Sequence, residues 1–226
     1  MKQYIRALVI MVKMEGENSR LGLLFDRIKN RVSRWANDKS RVNDSDLIFS
    51  LSSSHITLDR KIGLVTTGRC ALVIKTNAGQ YFREMEQEVK RFLDALERQE
   101  EESSVVDLHH DTITDYHGYL WIVLYGKRME DLLAGLTTVG DLVIERGFSN
   151  QILAAVFQFY NEKDNNQSSF LVYDYKWNKF YPFVPVNHKR KIRNTIEEMR
   201  IMETMADEIP FEKDKDLWHP LWNLPL

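Results

Sequence analysis

The stretch from residue 151 to 185 limits what this chain can fold into more than any other. It gathers ten aromatic residues, among them Phe157, Phe159, Tyr160, Phe170, Tyr173, Phe180, Tyr181 and Phe183, in three apolar runs. Aromatic and β-branched side chains fit a pleated, half-buried surface, and turn residues bracket each run. The pattern therefore predicts a meander of three strands, 151–160, 170–175 and 179–185, at the centre of a sheet. The polar residues 161–169 join the first pair, and Lys176-Trp177-Asn178 makes the second, tighter turn.

The rest of the chain supplies partners for that meander. Residues 64–76 read as a strand interrupted at Gly68, and a helix is expected over 81–97 with Phe82, Met85, Val89, Phe92, Leu93 and Leu96 on one face. A hairpin follows, 105–114 and 119–125, turning at Asp115-Tyr116-His117-Gly118. The next helix, 129–146, ends where Gly147 occupies the position of a left-handed cap. A last helix is expected over 188–205. Residues 50–54 read as loop and 56–58 as a short strand. The tail, with Leu217, Trp218, Leu221, Trp222 and Leu224, is too apolar to be left in water. The fold class is α+β: a mostly antiparallel sheet in β-α-β-β-α-β-β-β-α order with helices packed on it. Residues 47–226 form one domain, and 1–46 form an arm with a polar linker.

That arm carries a basic amphipathic helix, expected over 19–35. Leu21, Leu24, Phe25, Ile28, Val32 and Trp35 recur at helical spacing, and Arg20, Arg27, Lys29, Arg31 and Arg34 take other positions. Such a helix lies on an anionic membrane or docks on a partner helix; the plainer alternative packs it on its own domain. The candidate attachment set is Arg20, Leu24, Phe25, Arg27, Ile28, Lys29, Arg31, Arg34 and Trp35. A second basic cluster, Lys189, Arg190, Lys191 and Arg193, opens the last expected helix. Cations there oppose the helix dipole, so either solvent screens them or they form a patch for an anion.

Composition excludes several classes. A formal net charge of -2 over 226 residues argues against bulk binding of nucleic acid. The single cysteine, Cys70, lies in an apolar run, which implies an inert buried thiol and a reducing compartment. No segment approaches the ~20 apolar residues of a membrane span. A cytoplasmic location is expected, at most peripheral at the inner face of the membrane. No hydrolase motif occurs. The strongest metal candidate is His109-His110-Asp111 with Asp115 and His117 nearby. Strand alternation lets His109 and Asp111 converge while His110 points away, and a polar hairpin surface is the simpler reading. No catalytic, cofactor or metal residue is assigned, and the chain is not expected to be an enzyme.

Several segments together resemble one family. They are Ser53-Ser54-His55-Ile56-Thr57-Leu58, Gly118-Tyr119-Leu120-Trp121, Gly147-Phe148-Ser149-Asn150-Gln151-Ile152-Leu153, Leu171-Val172-Tyr173, Phe180-Tyr181-Pro182-Phe183-Val184-Pro185 and Leu217-Trp218-His219-Pro220-Leu221-Trp222. The chain is similar over these to the PspA-associated protein PspAB, a bacterial and archaeal group linked to the phage-shock membrane-stress protein PspA. Residues 1–18 and the Glu-rich insert near Glu100 depart from its pattern. The resemblance implies no catalytic residues. It implies a non-enzymatic adaptor beside a membrane-maintenance system, with a PspA-like or other membrane-stress protein, or an anionic membrane surface, as partner. The alternatives are a small-ligand or metal-binding α+β enzyme and a domain resembling secretion chaperones.

Overall fold

The structure, a computed structural model, describes residues 44–103, 108–161, 167–222 and 224–226. The attachment set on the expected helix 19–35 lies outside the described residues.

Apolar runs without strict alternation, such as Cys70-Ala71-Leu72-Val73-Ile74, suit strands covered on both faces, because side chains then need an apolar partner in either direction. Six strands of this kind form one antiparallel sheet: β1 (Leu64–Lys75), β2 (Leu108–Thr114), β3 (Tyr119–Gly126), β4 (Ile152–Asn161), β5 (Gln167–Asp174) and β6 (Lys179–Phe183). Their spatial order is β2-β3-β1-β4-β5-β6. The expected meander is present as β4, β5 and β6, with Val156 opposite Val172 and Val172 opposite Tyr181. It occupies one half of the sheet, and β1 sits at the centre between β3 and β4.

Gly68 does not break β1. Its φ of 74° marks a register shift between Thr66 and Cys70, where the strand bulges and continues. A Cβ at this position would lie 2.5 Å from the Gly126 carbonyl oxygen, so the bulge requires glycine.

Four helices occur among the described residues: α1 (Leu51–Ile62), α2 (Gln80–Ser103), α3 (Met129–Glu145) and α4 (Thr195–Met205). Cys70, Leu72, Ile74, Leu120, Ile122, Leu124, Phe157 and Phe159 face the helical layer, where Leu58, Phe82, Val89, Leu132, Leu136 and Ile201 meet them. The opposite face carries Ala71, Val73, Trp121, Val123, Val156, Phe170, Val172, Tyr181 and Phe183. Trp218, Leu221, Trp222, Leu224 and Leu226 pack on that face, which accounts for the apolar tail. The α+β architecture, with an antiparallel sheet and helices on it, is as the sequence implies.

Two expected elements are corrected. Residues 50–58 are neither loop nor strand: Ser50 ends a 3-10 helix, Asp44–Ser50, and 51–58 begin α1. Its buried Leu51, Ser54, Leu58 and Ile62 follow helical spacing, and Ser54 Oγ donates to the Ser50 carbonyl at 2.8 Å. Serines mask a helix because their side chains compete for backbone groups; here that bond stays inside the helix. The last helix begins at Thr195 rather than at 188. Asn194 Oδ1 accepts the Glu197 N–H at 3.1 Å, and Glu197 and Glu198 stand in the first turn. Residues 185–193 instead form a small hairpin, β7 (Pro185–Asn187) with β8 (Ile192–Arg193).

Candidate functional site

The β7–β8 hairpin redistributes the second basic cluster. Its turn runs from His188 to Lys191, closed by Asn187 Oδ1, which accepts the Arg190 N–H at 2.9 Å, and by a longer bond from the Lys191 N–H to the His188 carbonyl. Lys191 has a φ of 52°, a left-handed conformation that glycine or asparagine adopts more readily than lysine. Lys189, Arg190 and Lys191 are exposed, and no carboxylate pairs with them among the described residues. The dipole objection disappears with the helix boundary, because these cations do not stand at a helix N-terminus.

Arg193 behaves differently. Its guanidinium pairs with Glu198, which is 1 % exposed, through Nε at 2.8 and 2.9 Å and Nη2 at 2.8 Å. Glu198 also accepts the Val184 N–H at 2.9 Å. The guanidinium lies 5.5 Å from the Trp218 ring centre and 5.8 Å from that of Phe183. Three of the four expected anion-binding residues are therefore available at the tip, and the fourth ties the base to the tail.

Apolar exposure concentrates in the same segment. Of nine large apolar side chains exposed among the described residues, Val186, Ile192 and Ile196 fall here, Ile196 at 83 %. Scattered exposed aliphatics need no explanation, but three beside three unpaired cations make a surface with both parts that an anionic interface requires.

A second feature opens on the tail-covered face. A cleft of about 660 Å³ is lined by Tyr119, Trp121, Tyr175, Tyr181 and Leu221, with Ser149, Asn150, Asp174, Lys176 and His219 at its polar positions. Asp115 fixes one wall by accepting the Trp121 Nε1–H and the Tyr119 N–H, each at 2.9 Å. Desolvation raises its carboxyl, but these bonds, the His117 N–H and the nearby imidazole outweigh it and hold the group below the ordinary range. Burial pushes the Tyr181 phenol up, and its hydroxyl donates to the His219 carbonyl at 2.9 Å. Several segments of the family resemblance, distant in sequence, meet at this cleft.

His109 and Asp111 share the outward face of β2, as strand alternation allows, on a polar hairpin surface. Asp111 accepts from the Tyr125 hydroxyl at 2.8 Å, and His117 stacks on Tyr116 in the β2–β3 turn. His110 points away from His109 and Asp111, as expected, and faces α2. Cys70 is fully buried and burial pushes its thiol up, as an inert cysteine requires.

The hairpin itself was readable only indirectly. The signal was Asn194 with Glu197 three residues on, a capping pattern that starts α4 and releases residues 185–193 from it.

No helix among the described residues is long and apolar enough to cross a membrane. A family model described as PspAB, PspA associated protein B, matches residues 23–226. Of the expected attachment set only Arg20 falls outside that match. No curated protein matches the chain. No solved structure matches it either.

Proposed function

Since the chain belongs to the PspA associated protein B family, we propose that it serves PspA as a non-enzymatic adaptor that attaches to an anionic membrane surface through the β7–β8 hairpin. The family name ties the chain to a protein partner; the membrane contact is the finer step. The observation that carries it is the tip, where Lys189, Arg190 and Lys191 meet no acid among the described residues, with Val186 and Ile192 exposed on the flanking strands and Ile196 exposed on the first turn of α4. Cations meet phosphate head groups, and the aliphatics enter the interface between head groups and acyl chains. The helix expected over 19–35 is a second attachment element of the same chemistry. In this reading the protein works at the inner face of the membrane.

Co-sedimentation with phosphatidylglycerol-containing vesicles tests this. Each basic residue near an anionic surface contributes about 1 kcal/mol, so K189E/R190E/K191E should weaken binding by about 100-fold or more. Melting temperature should stay unchanged, since the three side chains are exposed. Unaltered vesicle binding in that variant rejects the hairpin as the contact. Removal of residues 1–38 should weaken binding further without lowering the stability of the body; if it unfolds the body, that helix is part of the core.

The aromatic cleft favours a second reading, a small-ligand-binding domain. Native mass spectrometry of the full chain should then find a co-purified molecule that Ala154→Trp excludes. A bare chain in both samples dismisses it.

A further inference from the structure

We propose that Asp94, Glu97 and His110 form a site for one divalent transition-metal ion, of which zinc is the representative, joining α2 to the edge strand β2. Asp94 and Glu97 are three residues apart on α2, so their carboxylates share a helix face. β2 runs beside that face. Leu108 and His110 point from it toward α2 and the core, while His109 and Asp111 point outward. Ligand atoms of the three residues lie within 4.8 Å of one another.

Acidic groups near a histidine are common on protein surfaces, and the arrangement of His110 is what sets this one apart. Its side chain is only 7 % exposed. Its Nδ1 is buried and makes no hydrogen bond, although Glu97 Oε1 is 3.0 Å away. That oxygen instead accepts the backbone N–H of His110 at 2.6 Å. Nε2 lies 3.4 Å from Asp94 Oδ1. A buried ring nitrogen and a half-exposed carboxylate oxygen thus face each other without a hydrogen bond between them. Two ligands each about 2.1 Å from one ion stand about 3.0–3.4 Å apart at octahedral or tetrahedral angles. The 3.0 Å between His110 Nδ1 and Glu97 Oε1 has that spacing, and an ion held there through Nδ1 is completed by the Asp94 carboxylate, whose ligand oxygen lies within the same 4.8 Å cluster.

The donor set indicates the metal class. One imidazole with two carboxylates suits zinc, manganese, iron or cobalt better than calcium, which prefers oxygen alone, or copper(I), which prefers sulfur. Asp94 is 42 % and Glu97 32 % exposed, so water can reach the ion and complete its coordination. Binding there fastens the distal half of α2 to the outermost strand of the sheet.

The ordinary alternative is an imidazolium held between two carboxylates with no metal. Untagged full-length chain, freed of metal by dialysis against chelator, separates the two. Zinc chloride should bind one ion per chain by calorimetry and raise the melting temperature with increasing concentration. Cobalt(II) in its place should show ligand-field absorption. Glu97→Gln and Asp94→Asn keep the side-chain shape and should each weaken zinc binding tenfold or more, while His110→Gln abolishes the cobalt spectrum. If Glu97→Gln changes stability but zinc produces no shift in either protein, the cluster is a salt bridge and the proposal fails. It also fails if His109→Ala, which alters an exposed neighbour 3.8 Å from Glu97, removes binding while Glu97→Gln does not. That pattern would be surface chelation.

Discussion

The two ends of the β7–β8 hairpin use the same kind of residue for opposite purposes. At the base, Arg193 is 22 % exposed, held by Glu198 and flanked by Trp218 and Phe183. At the tip, Lys189, Arg190 and Lys191 are exposed and meet no acid among the described residues. A buried cation must have its partner, because desolvation without compensation is expensive; an exposed one remains available to whatever approaches. Sequence proximity therefore says little about shared role. The partner defines it, and here Glu198 divides the cluster.

The largest expected effect comes from breaking the base. Glu198→Ala leaves the half-buried Arg193 without its carboxylate and removes the acceptor for the Val184 N–H. Loss of one member of such a pair costs about 3–5 kcal/mol, which thermal or urea unfolding should register as a fall in melting temperature of about 10 °C or more. Arg193→Met combined with Glu198→Met should be far milder than the single change, since no charge is then stranded. Equal losses in the single and double variants would show that packing, not the ion pair, holds the hairpin.

A smaller effect concerns the tail that covers the same base. Glu212 accepts the Asp214 N–H at 2.9 Å and pairs with Lys179 at 3.1 Å, while its carbonyl accepts the Trp218 Nε1–H at 3.0 Å. The Asp214 N–H bond is the main cause holding its carboxyl below the usual value; desolvation opposes it, and Lys179 adds to it. Asp115 is lowered as well. A depressed carboxylate contributes stability that is present above its unfolded pKa, about 3.9 for Asp and 4.3 for Glu, and is lost as pH falls through the folded value. Stability should thus decline below about pH 4, and Asp115→Asn and Glu212→Gln should each make that decline shallower. At pH 7 each should cost about 1–2 kcal/mol in urea unfolding. The tip contains no carboxylate, so K189Q/R190Q/K191Q should leave the acid dependence of these two groups in place.

The contrast also explains what could be read in advance. The meander was legible because Phe157, Phe159, Phe170, Tyr173, Phe180 and Tyr181 state their environment in their own chemistry, and both sheet faces demand apolar residues. Helices α2 and α3 were legible from spacing. Helix α1 was not, since Ser50 to Ser54 look like a turn until Ser54 is seen bonded back to Ser50. The basic cluster was recognised as unusual, but its division was hidden. Glu198 belongs to the next helix, and Trp218 comes from the tail, so Arg193 meets partners that no local pattern brings together. Alternation along β2 places His110 opposite His109 and Asp111, but that α2 covers its face, bringing Asp94 and Glu97 to it, depends on packing that no local pattern states.

The smallest effect is the sharpest test of the division. Lys191 adopts a left-handed backbone at φ 52°, a position where a β-carbon costs about 1 kcal/mol relative to glycine. The side chain is exposed, so nothing within the fold recovers that cost. Lys191→Gly relieves the strain but gives the unfolded chain more freedom, and the two nearly offset. The variant should therefore fold at least as stably as the parent, with a gain of at most about 1 kcal/mol by urea unfolding. Its binding to anionic vesicles should nevertheless fall by about fivefold, as one cation near the surface contributes about 1 kcal/mol. If Lys191→Gly instead unfolds the hairpin, or stabilises the chain and leaves vesicle binding intact, the tip has no separate role and the distinction between its two ends collapses.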